Sequence, residues 1–285
     1  VGDPVDFSTA LSKYIRLITN GTNVPSANIN AQDVKFGGTK GSGLTDAQLF
    51  AVEDKIDHKI DWNVLGFASV KNNNDYVTVN SFYSPNTSTP SVQRGIDAAS
   101  SGYTVNVNAG TYIENFTVNK SNITLRGPNF GINPNTGSRV SEAIIMPEVD
   151  DPELGVLITL QQSNFIMDGF LLNGDNPGLN AGYSVGGADV NTSEGICNGP
   201  ALGPYNQINH IDIQNNIFNN FDYQAIYLEV AFNSNHSWNY VKNNKFNNMW
   251  EGVQTYALHT DISYNTFTGV DRAMSMHAVH AAADP

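Results

Sequence analysis

Charge is scarce in this chain. Asp, Glu, Lys and Arg make up 14% of its 285 residues, well under the usual quarter. The 14 basic residues face 27 acidic ones, which leaves a formal net charge of −13 and a pI near 4.6. So little positive charge argues against nucleic acid or an anionic membrane as a partner. Cysteine is nearly absent, and the single Cys197 excludes an internal disulfide. No His or Asn signature of a nucleophile lies near it, so it reads as a small buried or loop residue. No apolar run approaches the length of a membrane span, and no signal peptide is recognisable. The opening Val1-Gly-Asp-Pro reads as the start of a mature or excised piece. Polarity comes from Asn, Thr, Ser and Gly, a mix that suits turns and β-coils better than long packed helices.

Against this background one pattern stands out near the C-terminus. Ile211-Asp-Ile-Gln-Asn-Asn-Ile-Phe218, Asn239-Tyr-Val-Lys-Asn-Asn-Lys-Phe246 and Thr260-Asp-Ile-Ser-Tyr-Asn-Thr-Phe267 repeat each other. Each is followed by a second alternating run: Ala225-Ile-Tyr-Leu-Glu229, Gly252-Val-Gln-Thr-Tyr256 and Ala273-Met-Ser-Met-His277. The equivalent residues Asn216, Asn244 and Asn265 are spaced by 28 and 21. A period in the twenties, built of short strands with one residue type at one corner, predicts a solenoid. Stacked coils bring like residues to about 4.8 Å, so the three asparagines are expected to form a hydrogen-bonded ladder. Phe218, Phe246 and Phe267 are expected to stack inside.

Upstream, residues 8–18 carry Leu11, Tyr14, Ile15 and Ile18 at helical spacing. Thr45-Asp-Ala-Gln48 is a capping box that opens a helix over 47–60, with Leu49, Val52, Ile56 and Ile60 on one face. Alternating runs at 66–70 and 76–79 flank the turn at 72–75. Ser91 caps a short helix over 92–99, and strands follow at 104–108, 110–114, 116–118, 123–126, 143–146, 156–160 and 165–172. Residues 173–209 form a long Gly/Asn-rich excursion, which at that length should be functional or protective. The division expected is an N-terminal α/β segment over 1–84, connecting or capping, and a β-coil domain over 85–285.

The run Ser91-Val-Gln-Arg-Gly-Ile-Asp-Ala-Ala-Ser-Ser-Gly-Tyr-Thr-Val-Asn-Val-Asn-Ala-Gly-Thr-Tyr-Ile-Glu114 resembles the opening of right-handed parallel β-helix proteins. Lys120-Ser-Asn-Ile-Thr-Leu-Arg-Gly127 and Met167-Asp-Gly-Phe170 are similar to the next rungs. Residues 31–80 resemble a segment that precedes such domains in large bacterial surface proteins. The resemblance is to the pectin-lyase-like superfamily. It implies an all-β fold: a right-handed parallel β-helix solenoid, with short amphipathic helices in the N-terminal segment. That superfamily holds polysaccharide lyases, hydrolases and esterases as well as inert adhesins and fibres, so fold alone does not choose among them. The motifs of polygalacturonases, pectin methylesterases and classical pectate lyases are missing, and Arg is confined to positions 16, 94, 126, 139 and 272.

Alternation assigns sides to the second strands. Ile226, Leu228, Val253, Thr255, Met274 and Met276 are expected inside; Tyr227, Glu229, Gln254, Tyr256, Ser275 and His277 outside. Gln224, Glu251 and Arg272 stack at the turn before them. Tyr227, Tyr256 and Gln254 are therefore the candidate carbohydrate-binding residues, and Glu229, Glu251, Arg272 and His277 the candidate catalytic set if there is one, since aromatic faces with carboxylates suit sugars. The competing reading is a solvated face with one weak ion pair, Glu251–Arg272. On the first strands Asp212, Tyr240 and Asp261 should line up outward, near His210, Trp238 and His259. The His277/His280 pair has metal-ligand spacing only in a helix, and a strand is expected there. The acidic run 148–153 offers oxygen ligands for calcium but lacks the Gly and the ligand alternation of a calcium loop. No metal or cofactor is therefore expected, calcium being the alternative. Sequons occur at Asn20, Asn86, Asn115, Asn119, Asn122, Asn191 and Asn235.

The function expected is a non-catalytic structural or adhesive module, extracellular or at the cell surface. Its partners would be other copies or adjacent repeats, end to end, and glycans. The C-terminal coil, followed by no amphipathic cap, should contact the 1–80 segment of another copy. The alternative is a carbohydrate-active enzyme, a polysaccharide lyase or glycoside hydrolase, acting on an acidic polysaccharide.

Overall fold

The computed structural model describes residues 5–17, 28–58, 66–82, 89–229, 238–256 and 259–277. The chain is all-β with large parallel sheets. One sheet has seven strands, in order Asn74–Val77, Thr104–Val107, Ile123–Arg126, Phe165–Asp168, Ile211–Gln214, Trp238–Lys242 and His259–Ser263. Every neighbouring pair in it is parallel. The second sheet has nine strands in two files that merge. One file runs Gly110–Ile113, Ala143–Met146, Leu171–Asn173. The other runs Phe116–Val118, Asp151–Leu160, Thr192–Cys197. Both meet in Ile217–Leu228, which continues the first file with its first half and the second with its last residues. Lys245–Thr255 and Thr266–Met276 repeat that long strand, and a register shift between Phe221 and Gln224 marks the corner inside it. Among the described residues no helix is long and apolar enough to cross a membrane.

Parallel register sets like residues in rows. Val105, Leu125, Met167, Ile213 and Val241 occupy one row and are fully buried or nearly so. Phe218, Phe246 and Phe267 form another, with ring centroids 5.0 and 4.8 Å apart and planes within 8° and 7°. Each fully buried Phe contributes about 1.5–3 kcal/mol, and the stacking adds up to about 1 kcal/mol. Phe267 is only partly buried, because among the described residues nothing lies on its outer face.

The asparagine row binds each turn to the one before. Asn244 Oδ1 accepts from the Asn216 backbone N–H at 2.9 Å, and Asn265 Oδ1 accepts from that of Asn244 at 2.8 Å. The amides donate back to carbonyls of the preceding turn: Asn216 to Met167, Asn244 to Ile213 and Asn265 to Val241, at 3.1, 2.8 and 2.7 Å. Two further rows join turns side chain to side chain, with the Asn247 amide donating to Asn219 Oδ1 and that of Asn248 to Asn220 Oδ1, whose own amide donates to Asn173 Oδ1.

Corners explain where else asparagine and glycine fall. Gly169, Asn215, Asn243 and Tyr264 share one register position and all have positive φ; Gly102, Asn122, Asn164 and His210 share a second, and Asn220, Asn248 and Gly269 a third. The left-handed region penalises residues with a bulky Cβ and tolerates Gly and Asn best. Tyr264, at φ 58° and 80% exposed, breaks that preference without a packing return.

The N-terminal segment has a small core of its own around Phe36, Leu49, Val52, Ile56 and Tyr76. Helix α1, Asp46–Glu53, opens with the expected box: Thr45 Oγ1 accepts from Gln48 N–H, and Gln48 Oε1 from Thr45 N–H. It ends earlier than the periodicity predicts, because Ile56–Asp57 leaves as a strand that pairs with Ile15–Arg16. Residues 59–60 lie outside the described residues. The helix predicted over 8–18 is absent from 5–17. Asp6–Phe7 and Ile15–Arg16 are extended instead, since as strands they seat Phe7, Tyr14 and Ile15 on the small core. A helix that short is marginal without tertiary support. Helix α2, Val92–Ala98, follows its Ser91 cap as expected. The proposed division at 84/85 falls at 83–88, outside the described residues, while Asn74–Val77 already belongs to the seven-stranded sheet.

Two substitutions test these rows. Asn244→Ala removes bonds from both neighbouring turns and should cost on the order of 1–3 kcal/mol in urea unfolding. Tyr264→Asn should instead stabilise by about 1 kcal/mol. Unchanged midpoints for both would contradict the roles assigned to ladder and corner.

Candidate functional site

The outer face of the merged strands gathers the polar residues singled out from the sequence. Cys197, Tyr227, Gln254 and Ser275 occupy one row, and Glu194, Gln224, Glu251 and Arg272 a second, three residues earlier in each strand. Gln224 Nε2 donates to Gln254 Oε1, whose own amide donates to Tyr256 Oη at 3.1 Å and lies 3.4 Å from His277 Nε2. The Tyr256 and His277 rings stack at 4.4 Å. Tyr227 donates its hydroxyl to Glu229, whose backbone N–H is held by Asn198 Oδ1 at 2.8 Å. Tyr205 packs edge-on against Tyr227 at 5.3 Å. The candidate residues Tyr227, Glu229, Glu251, Gln254, Tyr256, Arg272 and His277 are thus neighbours.

Their exposure limits what they can do. Tyr227 and Gln254 are buried, and Tyr256 is half-buried, so the predicted glycan-binding trio does not form an open aromatic face. Glu251 is fully buried, with neither carboxylate oxygen hydrogen-bonded; Arg272 Nη1 stands 3.7 Å away. A general acid or base must reach the reacting group at hydrogen-bond distance, and no substrate can reach Glu251 without rearrangement. Met274 and Met276, expected inside, are exposed because no further turn lies on them among the described residues.

Two members of the cluster were not read from the sequence as belonging to it. Glu194 is buried, and burial pushes its carboxyl up to about 7, a shift the Cys197 thiol partly opposes by hydrogen bonding. Burial and the nearby Glu194 carboxylate push the Cys197 thiol far up, so it is no thiolate nucleophile. Burial, then the hydrogen bond to Glu229, pushes the Tyr227 hydroxyl up as well. Glu194 could have been found only by aligning Thr192–Cys197 with the later strands, and the long excursion around it conceals that register.

The remaining candidates lie elsewhere. Asp212, Tyr240 and Asp261 do stand in one row on the seven-stranded sheet. Lys242 pairs with Asp261 at 2.8 Å and sits 4.1 Å over the Tyr240 ring, and Trp238 stacks on His259 at 4.9 Å. Burial raises the Asp212 carboxyl. A second aromatic row, missed because the register shift hides it, stacks Tyr223 on Trp250 at 4.4 Å, with the Arg272 guanidinium 4.6 Å over the indole. A cavity of about 520 Å³ separates it from the hairpin Ser184–Val185/Ala188–Asp189. Among the described residues no three or more His, Cys, Asp or Glu converge as a metal site. His280 lies outside the described residues.

At the other end a buried ionic cluster joins the N-terminal segment to the sheets. Glu53 binds Arg94, Ser81 at 2.6 Å and His58 Nε2 at 2.9 Å. His58 Nδ1 accepts from Ala68 N–H at 3.1 Å, which makes the ring a neutral Nε2–H donor. Burial opposes the charge on Glu53, but its His58 and Arg94 partners outweigh it and hold the carboxyl at about 2. Nearby Asp75 and the helix-capping Glu114 are both pushed up to about 7, chiefly by burial.

No family model, curated protein or solved structure matches this chain. The class is set by the fold alone, an all-β chain of large parallel sheets.

These carboxyls fix a pH dependence. Asp75, Glu114 and Glu194 titrate near 7 when folded and near 4 when unfolded. Between those values the native state holds more protons, so stability falls as pH rises. Glu53 acts oppositely: its contribution is complete above about 4.5 and is lost as pH falls toward about 2. Thermal unfolding should therefore peak near about pH 4 and fall by about pH 8.5, with Glu194→Gln shallowing the fall. A Tm that climbs steadily over that interval would refute the assignment.

Proposed function

We propose that the chain is a right-handed parallel β-helix solenoid serving as a non-catalytic structural or adhesive module, extracellular or at the cell surface. The supporting observation is the sealing of the acidic row: Glu194, Gln224 and Glu251 are buried, and Glu194 Oε2, Gln224 Oε1 and both Glu251 carboxylate oxygens have no hydrogen-bond partner. Groups sealed this way do not meet a substrate in solution. Parallel pairing from turn to turn, with asparagine rows, would give a rod. The acidic, Lys-poor composition with one cysteine suits an exported protein. Half-exposed Trp238 and Tyr223 offer aromatic surface for glycans, and stacked copies would be its partners.

A second reading keeps the carbohydrate-active enzyme, because Glu229, Glu251, Arg272 and His277 are brought together and Glu194 titrates near neutrality. Incubation with polygalacturonate, alginate and related acidic polymers, followed by reducing-end and unsaturated-uronate assays, separates the two. We expect no turnover. Turnover that Glu251→Gln or Arg272→Ala abolishes would establish the enzyme instead.

A further inference from the structure

We propose that the last turn, His259–Ser263 with Thr266–Met276, is a docking surface for the first turn of a second copy of this chain, which adds to it by parallel strand pairing. The inference rests on the stacked-coil reading above and names the contact by which copies join.

The C-terminal end is a template in three respects. Both strands are paired on one side only among the described residues, His259–Ser263 with Trp238–Lys242 and Thr266–Met276 with Lys245–Thr255. Such edges offer free N–H and C=O groups to another strand. Next, the rows stop there among the described residues: Asn265 reaches back to Val241 and Asn244, and Phe267 stacks on Phe246 with one face only. Last, exposure rises abruptly at fixed register positions. Ile226 and Val253 are fully buried, whereas Met274 in the same row is 42% exposed; Leu228 and Thr255 are buried, whereas Met276 is 56% exposed. The positions are interior ones that lack only the next turn.

The N-terminal end has the matching form. Asp6–Phe7, Ile15–Arg16 and Ile29–Asn30 pair in parallel, in that order, with Lys35–Phe36, Ile56–Asp57 and Ala68–Ser69. Each is paired on one side only among the described residues. Val5, Leu11 and Ile29 are exposed there at 56, 43 and 40%. Short strands, each paired in parallel on one side, thus stand at the end opposite the last turn.

This choice of occupant follows from what each arrangement covers. Joining two C-terminal ends about a two-fold axis would bury the methionines and leave Val5, Leu11 and Ile29 in water. Head-to-tail contact buries both apolar ends with one interface and keeps the pairing parallel. Such a heterologous contact does not close, so copies should add without limit.

The test is sedimentation velocity over a concentration series on the intact chain, with a Met274→Glu/Met276→Glu variant alongside. Both side chains are exposed, so far-UV circular dichroism and Tm of the variant should match the parent. Carboxylates on the edge should block strand addition. We expect the parent to grow beyond dimer with concentration, and the variant to need at least about tenfold more protein to associate, the equivalent of about 1.4 kcal/mol. Amine cross-linking of isotopically mixed chains should join Lys13, Lys35 or Lys40 of one copy to Lys242 or Lys245 of another. A parent that stays monomeric, a variant that associates equally well, or cross-links only between C-terminal lysines would overturn the proposal. Any of those outcomes without polysaccharide turnover leaves the structural-module reading intact; turnover would overturn that reading alone.

Discussion

Parallel pairing in register between like residues one turn apart is the constraint on which the rest depends. It repeats every choice along a row, so a residue that fits once must have neighbours that fit as well. A β-branched or aromatic side chain inside gains from its copies, as Phe218, Phe246 and Phe267 do. A charge placed in a row would meet its copy at about 4.8 Å. Low charge and abundant Asn are thus one property: asparagine is a polar group that can stack on itself, because its oxygen accepts from one turn while its amide donates to the same neighbour.

Where charge does enter a row, it is neutralised or alternated. Glu194, Gln224, Glu251 and Arg272 follow one another, so no two carboxylates are adjacent. Glu194 responds to burial by holding its proton up to about 7. At the N-terminal junction Glu53 and Arg94 solve the same problem by direct pairing, with neutral His58 donating a hydrogen bond to the carboxylate. Buried pairs of this kind give little net stability against apolar alternatives but are costly to break singly. The junction therefore fixes how the N-terminal segment sits on the first sheet strand more than how firmly.

The last three turns were readable from the sequence because the Asn at 216, 244 and 265 and the Phe two residues later recur at close spacing. Earlier turns were readable as strands but not as members of those rows. Phe170 occupies the asparagine position in the turn before Asn216, and 46 residues separate Met167 from Ile213. The corner between Phe221 and Gln224 adds a register shift that periodicity cannot see, which is why the Tyr223–Trp250 row was missed and Glu194 was not placed beside Gln224. Helical spacing misled at 8–18 because Tyr14 and Ile15 serve equally well at the ends of two-residue strands, and the small core around Phe36 selects the extended form. Capping chemistry transferred best, Thr45–Gln48 and Ser91 being local signals that need no partner to be read. The sequence placed the outward polar residues in one patch, but it could not show that Tyr227, Gln254 and Glu251 are covered, since cover comes from neighbours in space such as Tyr205.

The central claim is that turns are locked by side-chain rows crossing from one to the next. Nuclear magnetic resonance on the intact chain tests it most directly, through the side-chain amide protons of Asn216, Asn244 and Asn265. The account predicts slow exchange with water for Asn216 and Asn244, together with cross-turn Overhauser contacts from Asn244 Nδ2–H to Ile213 and from Asn216 Nδ2–H to Met167. Solvent-rate exchange at these amides, with contacts confined to sequence neighbours, would contradict it.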